Sequence, residues 1–297
     1  MAPIIILAGA SGDLGTRIAK ALISRGAEVR ALIRPDLVAA ERARLTSLGL
    51  TLAGADPADV SQMAEAMRGA GCVVSALNGL REVILDRQSA LLDAAVQAGV
   101  PRFIPSDYSE DFTKTTPGDN RNLDLRCEFM GRADRAPTRV TSILNGAFMD
   151  MLGAEMPIIQ PRIHRVLYWI SAEQPLDFTT KDNVAAYTAA AALDDTTPRI
   201  LRIAGDTLSV RGLAGVMSDV KDEPYRTLHV GNLGVLSAMI AVAKRLAPQP
   251  GDPFPAWQGM QYMRDMFSGK GKLTSVDNDR YPELTWTTVR EQMAAST

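Results

Sequence analysis

The chain is poor in the side chains that most often carry chemistry unaided: among 297 residues there are two cysteines, two histidines and three tryptophans. Two cysteines, Cys72 and Cys127, exclude a disulfide framework and suit a reducing compartment, so both read as core or surface thiols. His164 and His229 stand far apart without ligand spacing, so neither a zinc site nor a Ser-His triad is legible and no metal is expected. Charge is nearly balanced, 32 Lys and Arg against 34 Asp and Glu, and aromatic residues make up only 5%. Without a basic tract interleaved with aromatics, nucleic acid and anionic membranes are poor partners. No apolar run approaches a bilayer span, and the first one is too short, with no basic segment before it, to be a secretory signal; a cytoplasmic location is expected. What is left is an ordinary globular composition, 46% hydrophobic and 22% charged, with length for one large domain or two.

Against that background Pro3 to Ala31 stands out. An apolar run (Ile4, Ile5, Ile6, Leu7, Ala8) leads into Gly9-Ala-Ser-Gly12-Asp-Leu-Gly15, then a helical pattern to Ser24 and a second strand, Glu28 to Ile33. The spacing is G-x-x-G-x-x-G rather than G-x-G-x-x-G, but strand, glycine turn, helix and strand arrive in the order a βαβ unit requires. Unpaired N–H groups and the helix dipole at such a turn favour a pyrophosphate, which assigns Gly9, Ser11, Gly12, Asp13, Leu14 and Gly15 to a dinucleotide. The second strand ends on Arg34, where NAD-preferring sites carry an acid for the ribose 2′-hydroxyl. A guanidinium suits a 2′-phosphate, so the expected cofactor is NADP(H), with Arg42 or Arg44 able to add a second contact.

Strands and helices keep alternating: a helix over Pro35 to Ser47, a strand near Leu50 to Ala53, a helix from Asp59 to Met67, strand Cys72 to Leu77, helix Val83 to Ala98, and strand Arg102 to Pro105. Asp111 to Asn122 reads as a loop, Leu123 to Arg132 as a helix, and Arg139 to Leu144 as a strand. Beyond Asn145-Gly146 the pattern becomes irregular and, from Ser209 on, helical. The expected fold is α/β: a Rossmann-type doubly wound parallel sheet with a smaller, mostly helical substrate-binding cap. The expected division is an NADP-binding domain over 1–150 and an interleaved cap over 151–297, with a strand near 199–205 returning to the first part.

Four segments then resemble the atypical short-chain dehydrogenases of the NmrA-like and isoflavone-reductase-like group: Gly9 to Gly15; Arg102-Phe-Ile-Pro-Ser-Asp-Tyr108; Asp177-Phe-Thr-Thr-Lys-Asp-Asn-Val-Ala185; and Tyr281-Pro-Glu-Leu-Thr-Trp-Thr-Thr-Val289. The resemblance implies NADPH-dependent reduction of a small, apolar or aromatic carbonyl, quinone or conjugated alkene; some members of the group only sense NADP(H). Loops at the carboxyl ends of parallel strands line the ligand cleft, which turns Asn78 and Ser106 toward the cofactor. By resemblance, Ser106 lies beside the nicotinamide, Asn145 brings amide groups against it, and Phe148 and Met149 form an apolar substrate wall. A small-molecule substrate is the expected partner, with a homodimer left open.

One departure bears on catalysis. None of the six tyrosines is followed four places on by lysine, so the usual short-chain Tyr-x-x-x-Lys pair is missing. The lysine that isoflavone-reductase-like enzymes carry on the helix after Pro-Ser falls on Arg126 without gaps, or on Asp124 with a short insertion. Arg126 would supply fixed charge to an oxyanion, Tyr108 a phenolic proton, and Lys114 a third cation. A non-catalytic NADP(H)-sensing regulator or scaffold is the competing expectation.

Overall fold

The computed structural model describes residues 2–153 and 156–295. In chain order the elements are β1 (Ile4–Ala8), α1 (Asp13–Ser24), β2 (Glu28–Ile33), α2 (Ala39–Ser47), β3 (Thr51–Gly54), α3 (Val60–Met67), β4 (Cys72–Ser75), α4 (Gln88–Gln97), β5 (Arg102–Ile104), α5 (Arg121–Ala133) and β6 (Arg139–Val140). There follow β7 (Ser142–Leu144), β8 (Ala147–Phe148), β9 (Ile159–Gln160), β10 (Arg165–Trp169), β11 (Pro175–Thr179), α6 (Lys181–Leu193) and β12 (Ile200–Arg202). The last are β13 (Asp206–Ser209), α7 (Val210–Lys221), β14 (Arg226–Gly231), α8 (Leu233–Leu246), α9 (Ala256–Ser268) and α10 (Val289–Ala295). They fall into two compact units, the first made of Met1–Tyr108, Leu125–Ile143 and Val184–Leu201, the second of Ser109–Asp124, Leu144–Asn183 and Arg202–Thr297.

The first unit holds a six-stranded sheet in the order β3-β2-β1-β4-β5-β6, every pair of it parallel. Parallel strands covered on both faces must be apolar almost throughout. The central strands comply, β4 (Cys-Val-Val-Ser) being wholly buried and β1 (Ile-Ile-Ile-Leu-Ala) nearly so. Further out, β2 alternates buried and half-buried residues. The order reverses between β1 and β4, which opens a crevice at their carboxyl ends. Ile18, Ala19 and Leu22 of α1 and Leu91, Leu92 and Ala95 of α4 are buried, and Phe103 meets Phe129 with ring centroids 6.4 Å apart. The Arg102 guanidinium is buried as well, donating to the carbonyls of Ala191, Ala192 and Asp194 at 3.1, 2.7 and 2.5 Å. It thereby supplies donors to carbonyls at the C-terminus of α6, where the helix runs short of its own.

The second unit contains two three-stranded sheets, β14-β10-β9 and β13-β11-β8, with α7 to α10. Its core gathers Met149, Trp169, Phe178, Met217, Leu236, Phe267 and Val289. Ser209 caps α7 by accepting the Gly212 N–H, and Asn232 caps α8 by accepting that of Val235.

Three findings differ from the pattern in the letters. Beyond Ser209, where the pattern predicts mainly helices, β14 lies between α7 and α8; its Arg-Thr-Leu-His-Val-Gly run is exposed or half-buried and gives no clean alternation. β8 and β9 have two residues each, too few for any period, and β11 opens on a proline. The helix expected over Val83 to Ala98 begins with a π turn, Glu82–Arg87, before becoming α4. The strand expected near 199–205 is β12, and it pairs with β7.

Candidate functional site: a glycine turn with an arginine rim

In the first unit the chain leaves β1 through Gly9, whose φ of +82° disfavours any side chain, and a Cβ there would stand 2.6 Å from the Ala76 carbonyl oxygen. A Cβ on Gly15 would come within 2.0 Å of the Gly9 oxygen, so α1 seats on the turn only because that position is bare. The Gly12 N–H closes the turn onto Gly9 O at 3.1 Å, and the Thr16 hydroxyl bonds Ala10 O at 3.0 Å. Gly12 occupies the cap position and offers no side chain to the first turn of α1. A helix N-terminus without a side-chain cap suits an anion. The Asp13 carboxylate turns to Arg17 at 2.8 Å.

A cavity of about 190 Å³ opens beside this turn, lined by Gly9, Ala10, Ser11, Arg34 and Arg87, with apolar walls that include Leu37, Pro57 and Leu77. A bare turn that a Cβ would fill, an apolar slot and a guanidinium on one rim fit an adenine nucleotide carrying an extra phosphate. The Arg34 side chain is 58% exposed, its closest acid being Asp36 at 3.7 Å. Arg42 braces the loop behind it, donating to the carbonyls of Pro35 and Leu37 at 2.7 and 2.9 Å. Arg44 is gripped by both oxygens of Glu41, at 2.5 and 2.8 Å, and reaches Ser11 O at 3.1 Å. That guanidinium holds the Glu41 carboxyl below its usual range. Of the two arginines expected to assist Arg34, Arg42 shapes its loop and Arg44 lies over the glycine turn.

Asn78 is exposed just past β4, and Ser106 is buried just past β5, its N–H donating to the Gln88 side chain at 2.9 Å. Asp107 is fully buried, accepts from the Ser142 hydroxyl at 2.6 Å, and has its carboxyl pushed up by burial against the opposing pull of Ser142, Arg126 and Arg199. Arg126, on α5, is buried in the field of that carboxylate. Tyr108 is buried with its hydroxyl beside Thr188, and burial raises the phenol, keeping it protonated at ordinary pH. Burial also pushes the Cys72 thiol up to about 12, which leaves it inert.

In the second unit Asn145 directly follows β7, fully buried. Its N–H and that of Gly146 both donate to Ser109 O at 2.9 and 3.1 Å, and its carbonyl accepts from Thr179 at 2.7 Å. The amide nitrogen reaches Gly146 O at 3.3 Å, while Oδ1 accepts no hydrogen bond among the described residues. Phe148 is half-buried on β8, whereas Met149 is fully buried in the core. The Lys114 ammonium is taken up by Lys272 O at 2.6 Å, Thr274 at 3.2 Å and Asp111 at 3.2 Å.

The structure adds a buried acidic group that the letters gave no reason to assemble. Glu110 is buried with Oε2 making no hydrogen bond among the described residues, and burial, then Asp265 and Asp177, raise it well above the carboxylate range. Burial carries Asp265 up to about 6, although Asn120 donates to it at 3.0 Å. Asp177 stays compensated, bonded by the Lys272 ammonium, by Thr207 at 2.7 Å and by the Leu273 N–H at 2.8 Å.

Sheet order, switch point and glycine turn together define a Rossmann-type nucleotide-binding unit. The model of the NmrA-like family matches residues 1–292, and the chain belongs to that family. It is 27% identical to pinoresinol reductase 2 of Arabidopsis thaliana over 231 residues, 73% of this chain and 71% of that one. Among solved structures it resembles AtPrR2 with NADP+ and (+)pinoresinol, at a TM-score of 0.84 and 21% identity over 100% of this chain and 99% of the other. It likewise resembles the binary complex of leucoanthocyanidin reductase with NADPH from Vitis vinifera, at 0.81 and 17% over 98% of each. At these identities the two structures speak for the fold.

Proposed function

We propose that the chain is an NADPH-dependent reductase of a small apolar or aromatic carbonyl, quinone or conjugated alkene. The observation that carries this is the bare Gly9–Gly15 turn sharing one cavity with Arg34; the names of the relatives support it. The first unit would be the cofactor-binding part, corresponding mainly to 1–150, and the second the substrate cap, mainly 151–297. Backbone from Gly9 through Ser11, Gly12, Asp13, Leu14 and Gly15 would hold the diphosphate, and Arg34 the 2′-phosphate. Asn78, Ser106 and Asn145 are assigned to the nicotinamide half and Phe148 to the substrate wall, whereas Met149, expected there too, belongs to the core. NADPH, when bound, supplies the hydride.

This chain's own residues must then meet the negative charge that develops on the substrate oxygen. Arg126 would act as a fixed cation in the field of Asp107, and a buried Tyr108, protonated throughout the working range, as a hydrogen-bond donor rather than a base. The test is turnover of reduced nicotinamide against quinones, enones and aldehydes, with Arg126→Ala and Tyr108→Phe beside the unaltered chain. The reading expects turnover with at least one class and a loss of tenfold or more in one variant, about the low end for removing an electrostatic stabiliser. Unchanged rates in both variants would remove the catalytic assignment.

A second reading, an NADP(H)-responsive regulator without turnover, is favoured by one observation: the helix position where reductases of the group carry lysine falls on Arg126, buried in the field of Asp107, or with a short insertion on Asp124, and neither is lysine. Tight NADPH binding with no oxidation across the whole panel would select it.

A further inference from the structure

The π turn has a chemical consequence at the end of β5. In an α-helix the Gln88 N–H would meet the Ile84 carbonyl, four residues back. Here it is shared between Leu85 O and Val83 O, the latter five back. The Ile84 oxygen is taken by the side-chain amide of Gln88 itself, whose nitrogen donates to it at 3.3 Å. With that end committed as donor, Oε1 is the acceptor, and it receives the Ser106 N–H at 2.9 Å. Reversing the amide would set oxygen against carbonyl and NH₂ against N–H, so its orientation is determined by chemistry. The side chain is fully buried, which raises the cost of losing either bond. One residue fewer in the turn would rotate Gln88 by about 100° around the helix, away from β5.

We propose that Gln88 is a positioning residue: the π turn aims its amide at the Ser106 backbone, fixing the β5 end and through it the nicotinamide half of the bound dinucleotide. The inference rests on the cofactor reading above and adds to it a group that touches neither cofactor nor substrate. It separates two halves of one ligand. The adenine half lies with the glycine turn and Arg34; only the nicotinamide half depends on Ser106.

The experiment compares NADPH with adenosine 2′,5′-bisphosphate, which carries the adenine half alone, on the full chain and on Gln88→Met and Gln88→Glu. Gln88→Met keeps the length and loses both hydrogen bonds. It should weaken NADPH about tenfold, the scale of one buried unsatisfied polar group, and leave the bisphosphate within about twofold. Gln88→Glu can accept from Ser106 in either protonation state but can donate to Ile84 O only as the neutral acid. Its NADPH affinity should therefore return as pH is lowered and fall as it is raised, with bisphosphate affinity, measured alongside, showing no such difference from the unaltered chain. Should Gln88→Met fail to fold, the pH response of Gln88→Glu decides alone. Parallel losses for both ligands, or no loss for either, overturn the positioning role while the cofactor reading stands. Failure of the unaltered chain to bind both ligands overturns the cofactor reading and this inference with it.

Discussion

Gly15 shows how much one absent atom decides. Its Cβ would overlap the Gly9 carbonyl at 2.0 Å, with backbone on both sides of the clash, so Gly15→Ala must push α1 off the turn. We expect a loss of about 1–3 kcal/mol of stability, the range for overpacking a close contact, and a larger loss of NADPH affinity; urea unfolding and a binding titration on the same variant check both. Such glycines are legible because their role is set by local backbone geometry. Glu110 is the opposite case. Nothing near it in the sequence foretells burial against Gly271, a residue distant along the chain, and the proximity of Asp177 and Asp265 is a product of tertiary packing alone.

That acidic group makes a pH prediction with a definite sign. Asp265 titrates near 6 in the folded chain, with burial and Asp119 raising it and Asn120, Arg264 and Lys270 opposing; unfolded, it would titrate near its ordinary value of about 3.9. The folded state binds the proton more tightly, so the stabilising contribution is complete below about pH 4 and is lost as pH rises through about 6. Glu110, raised by burial first, acts in the same direction. Asp265→Asn should therefore gain stability relative to the unaltered chain as pH goes from 4 to 7. Thermal midpoints of the two proteins across that range check it, and a difference independent of pH would contradict it.

Among whole elements, legibility tracks length and period. The stretch that the pattern marks as helical from Ser209 on holds α7, α8 and α9, each of twelve residues or more. The short strands of the second unit escape such reading because partners distant in sequence, rather than local pattern, define them. The π turn escapes for a related reason: one added residue leaves an apolar periodicity nearly intact while re-aiming every side chain after it. Arg102 carries an element-level prediction. It is the buried cation that donates to three carbonyls at the end of α6, and Arg102→Leu would remove all three bonds, including the one to the buried Ala192 carbonyl. We expect a loss of about 2 kcal/mol, seen as a lower urea midpoint at unchanged slope, with nucleotide affinity retained because the substitution lies away from the glycine turn.

For the molecule as a whole, the sequence carries the doubly wound sheet and the family, since both depend on strand–turn–helix order that short motifs encode. It does not carry the site as cleanly. Residues expected around the nicotinamide belong to different units, Ser106 to the first and Asn145 to the second, and each is buried by its own packing. Arg42, read as a spare phosphate contact, is committed to the loop behind Arg34. A ligand that binds only the folded chain raises the thermal midpoint with concentration. NADPH should do so more than NADH at equal concentration, and identical shifts from the two would contradict Arg34 as the discriminating group.

The most direct measurement is a fluorescence titration of NADPH and NADH on the full chain and on Arg34→Ala. The account predicts saturable binding that favours NADPH in the unaltered protein, and a loss of about tenfold or more for NADPH, with little for NADH, in the variant. Binding of neither coenzyme, or equal weakening of both in Arg34→Ala, would contradict it.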